Sequence, residues 1–215
     1  MRIDIITLFP EMFEGVFGAS ILGRAQKKKL IKLKVHDLRR FALDKHRKVD
    51  DKPFGGGAGL VLKVEPIFRA LEFIKKHNEG KVIFMGPKGK VLTQPKLKRL
   101  SKLEDLIIIC GHYDEIDERV RKYLIDEEIS IGEYILTGGE IPAMVLVDGV
   151  ARLLKGVVGK EVSLKNETYS RKSVVKYPQY TQPRGFKGWE VPPVLISGHH
   201  GEIEKWRKKH AKGLR

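Results

Sequence analysis

Cysteine is almost missing. Cys110 is the only one in 215 residues, so neither an internal disulfide nor a cysteine-built zinc cage can form. Such a chain suits a reducing cytoplasm. Also missing is any apolar run near the ~18 residues that a membrane span requires. No charged-then-apolar leader opens the chain either: Met1 leads directly into Arg2-Ile-Asp-Ile-Ile-Thr-Leu-Phe9, which reads as a strand. A soluble, non-membrane protein is expected. Acidic residues are the minority, 27 Asp and Glu against 42 Lys and Arg, for a net charge of +15. That surplus favours a polyanionic partner, because phosphate contacts release counterions and give sequence-independent affinity. A basic surface serving solubility or heat tolerance fits the same numbers.

What is present is organised around residues 130–140, Ser-Ile-Gly-Glu-Tyr-Ile-Leu-Thr-Gly-Gly-Glu. Gly132, Gly138 and Gly139 bracket Tyr134, Ile135 and Leu136, a pattern that opens a strand end and turns backbone N–H and C=O groups outward. Behind it, Ile141, Met144, Val145, Leu146, Val150, Leu153 and Leu154 keep mostly to helical spacing. The loop therefore joins a strand to a largely buried helix, where α/β proteins place small ligands. A plain glycine-rich turn reads equally well from this stretch alone.

Strand, glycine, helix recurs along the chain. Pro10 and Glu11 start a helix after the first strand, and residues 30–36 alternate as a half-exposed strand with a cationic outer face. Pro66 begins a helix with Ile67, Phe68, Leu71 and Ile74 on one face. Lys81–Gly86 reads as a strand ended by a glycine-proline break, 93–103 as a helix, and Leu106–Cys110 as a strand ended by Gly111. If these strands are parallel neighbours, the ends at Gly86, Gly111 and Gly132 form one crevice. A mostly parallel α/β sheet with helices on both faces is expected.

Between these elements lie charged loops. Residues 39–52 mix Arg39, Arg40, His46, Arg47 and Lys48 with Asp44, Asp50 and Asp51, then run into Pro53-Phe-Gly-Gly-Gly-Ala-Gly59. Neither nucleotide motif fits there: the Gly-Lys-Ser/Thr ending is missing, and Leu60 stands where a dinucleotide fingerprint needs glycine. Those glycines would let an RNA backbone or base approach closely, or serve as a hinge. Asp114, Glu115, Asp117 and Glu118 crowd together as the acidic first turn of a helix or as carboxylates for a magnesium ion. From Gly156 to Glu190 the apolar periodicity thins, as in a mobile, RNA-facing connection or a plain linker. Val191–Gly198 reads as a short extended piece, and about 199–212 as a basic helix with Ile203 and Trp206 on its apolar side.

Five strings, LFPEMF, HRKVDDKPFGGGAG, CGHYDEIDER, SIGEYILTGGEIPAM and VPPVLISG, in this order closely resemble the bacterial tRNA (guanine-N1)-methyltransferases of the TrmD type, a knotted SPOUT class. The resemblance spans nearly the whole chain. It implies a homodimer with a trefoil knot that grips S-adenosylmethionine and methylates N1 of the guanine just 3′ of the anticodon. By position, the donor would meet Phe84, Met85, Gly86 and Pro87; Gly111 and Tyr113; and Ile131, Gly132, Glu133, Tyr134, Ile135, Leu136, Gly138, Gly139 and Pro142. Substrate contacts would come from His46, Arg47, Asp50, Gly56, Gly57 and Gly59. Catalysis would fall to Arg152, on the developing negative charge of the guanine oxygen, and to a carboxylate base at Glu167, with Glu161 the competitor. The family is suspected of using magnesium, and Asp114 keeps a carboxylate at that place. Glu115 stands where the family often has glycine, and His112 where it has arginine. The implied organisation is 1–159 as knotted donor domain, 160–190 as interdomain loop with acceptor-base residues, and 191–215 as a basic, helical tRNA-binding part, shorter than usual. A knotted enzyme acting on ribosomal RNA, or a basic RNA-binding protein without catalysis, are the alternatives.

Overall fold

The computed structural model describes residues 1–159, 167–169 and 174–213. They fall into two compact units, Met1–Gly159 and Lys160–Arg215.

The first unit is built on β1 (Arg2–Thr7), β2 (Lys32–Asp37), β3 (Asp50–Asp51), β4 (Val61–Leu62), β5 (Lys81–Val91), β6 (Asp105–Cys110), β7 (Glu115–Ile116) and β8 (Glu127–Ser130). Its helices are α1 (Glu14–Gly18), α2 (Ser20–Lys27), α3 (Val64–Lys75), α4 (Gln94–Leu100), α5 (Glu118–Tyr123) and α6 (Glu140–Ala151). Five strands form one sheet in the order β2-β1-β6-β5-β8, and every neighbouring pair is parallel. A parallel sheet needs cover on both faces, which is why its inner strands are apolar throughout.

Side-chain alternation splits that apolar content into two cores. Ile3, Ile5, Ile83, Met85, Leu106 and Ile108 face one way and bury Phe13, Phe17, Leu22, Leu100, Leu146 and Val150 from α1, α2, α4, α6 and the turn before α1. Ile6, Val82, Phe84, Ile107 and Ile109 face the other way, against Ile67, Leu71 and Ile74 of α3 and Val120 of α5. Ile108 has no exposed surface, and truncating such a residue to alanine costs about 2–5 kcal/mol. The two-faced α/β architecture expected from the sequence is the one observed. A smaller sheet, β3-β4-β7, carries the hairpin of residues 50–62 beside β7.

Several sequence expectations are corrected. β1 ends at Thr7 rather than Phe9, because the Thr7 hydroxyl accepts from the Phe9 N–H at 3.0 Å and a 3-10 turn begins at Pro10. Phe68 is 46% exposed, and Ala70 takes its place on the buried face of α3. β5 does not stop at Gly86: the chain bulges over 86–89 and pairs with β8 again at Lys90 and Val91. Gly89 permits this, since a Cβ there would lie 2.4 Å from the Glu128 carbonyl carbon. The acidic run is divided, with Glu115 in β7 and Asp117 capping α5 by accepting from the Arg119 N–H.

The second unit contains β9 (Val174–Val175), β10 (Gly185–Phe186), β11 (Trp189–Glu190), α7 (Pro193–Ile196), α8 (His200–His210) and β12 (Lys212–Gly213). α7 replaces the extended piece expected at 191–198; Pro193, with its φ preset, occupies its first turn. On α8, Ile203 is buried and Trp206 stacks on His210 with ring centroids 4.0 Å apart.

Candidate active site

β6, β5 and β8 are adjacent in the sheet, so their carboxyl ends open side by side. The loops that follow make one cleft of about 730 Å³, counted out to its open mouth. From the β5 end come Phe84, Met85, Gly86 and Pro87, and from the β6 end Gly111 and Tyr113. The loop after β8 gives Ile131, Gly132, Tyr134, Ile135, Leu136, Gly138 and Gly139, and α6 gives Pro142. Of the residues expected at the donor site, Glu133 alone is not on the lining.

The cleft exists because its loops touch backbone to backbone. Gly139 donates its N–H to the Gly111 carbonyl at 2.7 Å, and His112 bridges to Gly138. A Cβ on Gly139 would lie 2.6 Å from the Gly111 nitrogen and 2.8 Å from the Cys110 Cα. A Cβ on Gly111 would lie 3.0 Å from the Phe84 ring. These glycines let the loop backbones approach one another closely along an apolar slot. Within the third loop, the Ser130 hydroxyl donates to the Gly132 carbonyl at 2.8 Å and accepts from the Gly132 N–H at 3.2 Å. Tyr134 and Ile135 are 56% and 79% exposed, giving the slot an apolar lip.

Two charged devices brace the walls. Below the third loop, the buried Glu140 carboxylate at the start of α6 accepts from the Thr7 hydroxyl at 2.7 Å, joining the helix to β1. At the side, Arg121 bonds Glu115, Glu118 at 3.1 Å and Glu128 at 2.9 Å, and its guanidinium lies 5.3 Å from the centre of the Phe84 ring. Lys88, on the bulge of β5, pairs with Glu115. Burial pushes the Glu115 carboxyl up, but the hydrogen bonds from Arg121 and Lys88 outweigh it and hold it below its ordinary value. Burial, with Glu140 adding to it, pushes the Cys110 thiol well up, so this cysteine is no nucleophile at neutral pH.

His112, Asp114, Glu115, Ile129, Ser130 and Thr137 also line the cleft and were not among the expected site residues. Ser130 and Thr137 belong to the stretch singled out in the sequence. Asp114 and Glu115 belong to the acidic cluster read from the sequence as a helix's first turn or magnesium carboxylates, with Asp114 matched by the resemblance to the family's suspected magnesium place; the structure puts both on the cleft wall.

The expected substrate residues lie on the hairpin next door and on the turn leading into it. His46 and Arg47 are exposed in a turn where the Asp44 carboxylate accepts from the His46 and Lys48 N–H groups, each at 2.9 Å. Asp50 is half-buried in β3. Gly56, Gly57 and Gly59 have φ of 81°, 124° and 84°, values that only glycine adopts freely. A Cβ on Gly59 would fall 1.2 Å from an Asp114 carboxylate oxygen, so the hairpin leans on a residue of the cleft wall. Arg152 is the half-buried C-cap of α6. Glu167 is half-buried in the second unit, and Glu161 lies outside the described residues. Among the described residues, no three His, Cys, Asp or Glu side chains gather as a metal site requires.

Residues 1–214 match the family described as tRNA (Guanine-1)-methyltransferase TrmD. The chain belongs to that family. Relatives named tRNA (guanine-N(1)-)-methyltransferase include one from Carboxydothermus hydrogenoformans, 54% identical over 98% of this chain and 83% of its own length. Those from Dictyoglomus turgidum and Ruminiclostridium cellulolyticum are 53% and 52% identical, covering 98% of this chain and 85% and 91% of their own lengths. TrmD proteins have the knotted SPOUT fold, and this chain shows the mostly parallel sheet flanked by helices that such an α/β fold requires.

Proposed function

We propose that this chain is a tRNA methyltransferase, moving the methyl of S-adenosylmethionine to N1 of the guanine immediately 3′ of the anticodon. The observation that carries the reading is the three-loop slot: apolar walls for a flat base, glycine-lined loop backbones and an open lip at Tyr134 and Ile135 in a chain of the TrmD family. The donor fits the residues present. Gly111, Gly138 and Gly139 let the loops close on one another around the slot, while Phe84, Leu136 and Pro142 supply apolar surface.

When bound, the donor supplies an electrophilic methyl group. The chain supplies the rest. Guanine N1 carries a proton at neutral pH, so a carboxylate within hydrogen-bond reach must accept it as the nitrogen attacks; that role is assigned to Glu167. Charge then grows on the exocyclic oxygen, and the Arg152 guanidinium is assigned to it. The hairpin with His46, Arg47, Asp50, Gly56, Gly57 and Gly59 stands beside the slot and is assigned to the RNA.

A homodimer accompanies this reading. Function in the cytoplasm follows from tRNA as substrate, and no helix among the described residues is long and apolar enough to cross a membrane. The test transfers a labelled methyl to tRNA transcripts and maps the modified position. Label on N1 of the guanine 3′ of the anticodon, lost when that guanine is replaced, is the expected result; label elsewhere or none overturns the reading.

A further inference from the structure

Phe54 is 102% exposed: no other described residue shields it. A ring left in water forgoes the roughly 1.5–3 kcal/mol that burying it would give and contributes nothing to either core. Its surroundings hold it out deliberately. The hairpin that carries it is rooted by antiparallel pairing of Asp50 with Leu62 and Asp51 with Val61, by parallel pairing of β4 with β7, and by the Lys63 N–H bonded to the Val49 carbonyl at 2.8 Å. At the tip, the Gly56 N–H donates to the Pro53 carbonyl at 3.3 Å. Gly55, Gly56 and Gly57 follow with φ of 86°, 81° and 124°, so the chain turns back without a side chain to cover the ring. Exposed His46, Arg47, Lys48 and Lys52 flank the same segment. The root is continuous with the cleft, because Gly59 meets Asp114 and the Asp114 N–H bonds the Leu60 carbonyl at 3.3 Å.

A ring without packing, on a firmly rooted hairpin among cations, has the chemistry of a platform for an unstacked base. We infer that Phe54 is a positioning residue that stacks on a nucleobase of the RNA adjoining the target guanine, holding the strand open while that guanine enters the slot. The inference rests on the RNA-methyltransferase reading and deepens it. Stacking of a base on an aromatic is sequence-tolerant, and losing the ring weakens binding by roughly 5- to 150-fold. The partner is thus a single-stranded or splayed segment of RNA, with the basic residues on its phosphates.

The test compares Phe54→Ala, Phe54→Leu and Phe54→Trp in the full chain with tRNA transcripts. Expected are a KM for tRNA raised about 5- to 150-fold in F54A, little rescue in F54L, rescue in F54W, and unchanged donor affinity by calorimetry in all three. Direct tRNA binding follows the same order, so the comparison holds even if wild-type protein transfers no methyl, an outcome that would sink the functional reading alone. Transcripts with 2-aminopurine beside the target guanine should be quenched by wild-type and F54W, and less by F54A. Unchanged KM in F54A, or full rescue by leucine, overturns the stacking role. So does a sedimentation shift to smaller species in F54A with tRNA binding restored at high protein concentration, which would make the ring a contact between copies of this chain.

Discussion

Replacing Gly139 with alanine should damage the fold and the donor site together. The backbone does not object: φ at Gly139 is −82°, allowed for any residue. Space does. The added methyl would stand 2.6 Å from the Gly111 nitrogen, 2.8 Å from the Cys110 Cα and 3.0 Å from the Cys110 carbonyl carbon. All three are main-chain atoms at the end of β6 and the residue that follows it, so no side chain can swing away. Overpacking against yielding neighbours costs about 1–3 kcal/mol, and rigid ones place this substitution toward the top of that range. For a chain of this size each kcal/mol moves Tm by about 2–4 °C, so a fall of roughly 5–10 °C is expected. Separating the two loops also lengthens the bond from the Gly139 N–H to the Gly111 carbonyl and widens the slot, so calorimetry with S-adenosylmethionine should show weaker binding. Gly15→Ala is the control: nothing lies within 4 Å of its added methyl, and in α1 alanine is neutral or stabilising by up to about 1 kcal/mol. A Gly139→Ala protein that melts with the wild type and binds donor equally well would refute the reasoning.

Asp4 is fully buried and holds Arg2 at 2.6 Å, His36 at 2.6 Å and Asn78 at 2.7 Å. Burial pushes its carboxyl up, but the hydrogen bonds from His36, Arg2 and Asn78 prevail and hold it well below the usual carboxylate range. A depressed carboxylate stabilises fully above its unfolded pKa of about 3.9 and loses that contribution as pH falls toward the folded value. Asp4→Asn should therefore cost about 3–5 kcal/mol at pH 7, with the gap to wild type narrowing below about pH 4 in chemical denaturation; a pH-independent gap would contradict the assignment. Cys110 should resist thiol reagents in native protein at pH 7.5 and react on unfolding, and rapid native labelling would show that the β6 end opens readily. Glu167→Gln should leave donor affinity nearly intact and abolish turnover; single-turnover methylation at the wild-type rate would remove Glu167 from the chemistry.

What could be read from the sequence was what depends on neighbours in the chain. Leu106–Cys110 is apolar at every position because both faces of β6 are covered, and Gly111 follows because the chain must leave the sheet there. Applied to the ends of β5 and β8 as well, that logic located the cleft. What could not be read depends on residues far apart in sequence. The return of β5 after Gly86 and Pro87 is decided by Gly89 passing the backbone of Glu128. Glu115 was indistinguishable from its acidic neighbours because Lys88 and Arg121, its partners, come from other elements. Phe68 carried the right period for the core, yet α3 rotates Ala70 inward in its place. The identity of the donor and of the proton acceptor came from resemblance, since no periodicity encodes them.

The sheet's outer margins bear on how the protein stays dispersed at high concentration. β2 lies at one border with Lys32 and Lys34 turned to solvent, and β8, at the other, is only four residues long. An incoming strand would have to bring its own chain against a row of like charge on one side and find little ladder to extend on the other. Both are natural guards against end-to-end growth into fibrils, and neutralising the two lysines should show itself first as turbidity rather than as any change in catalysis.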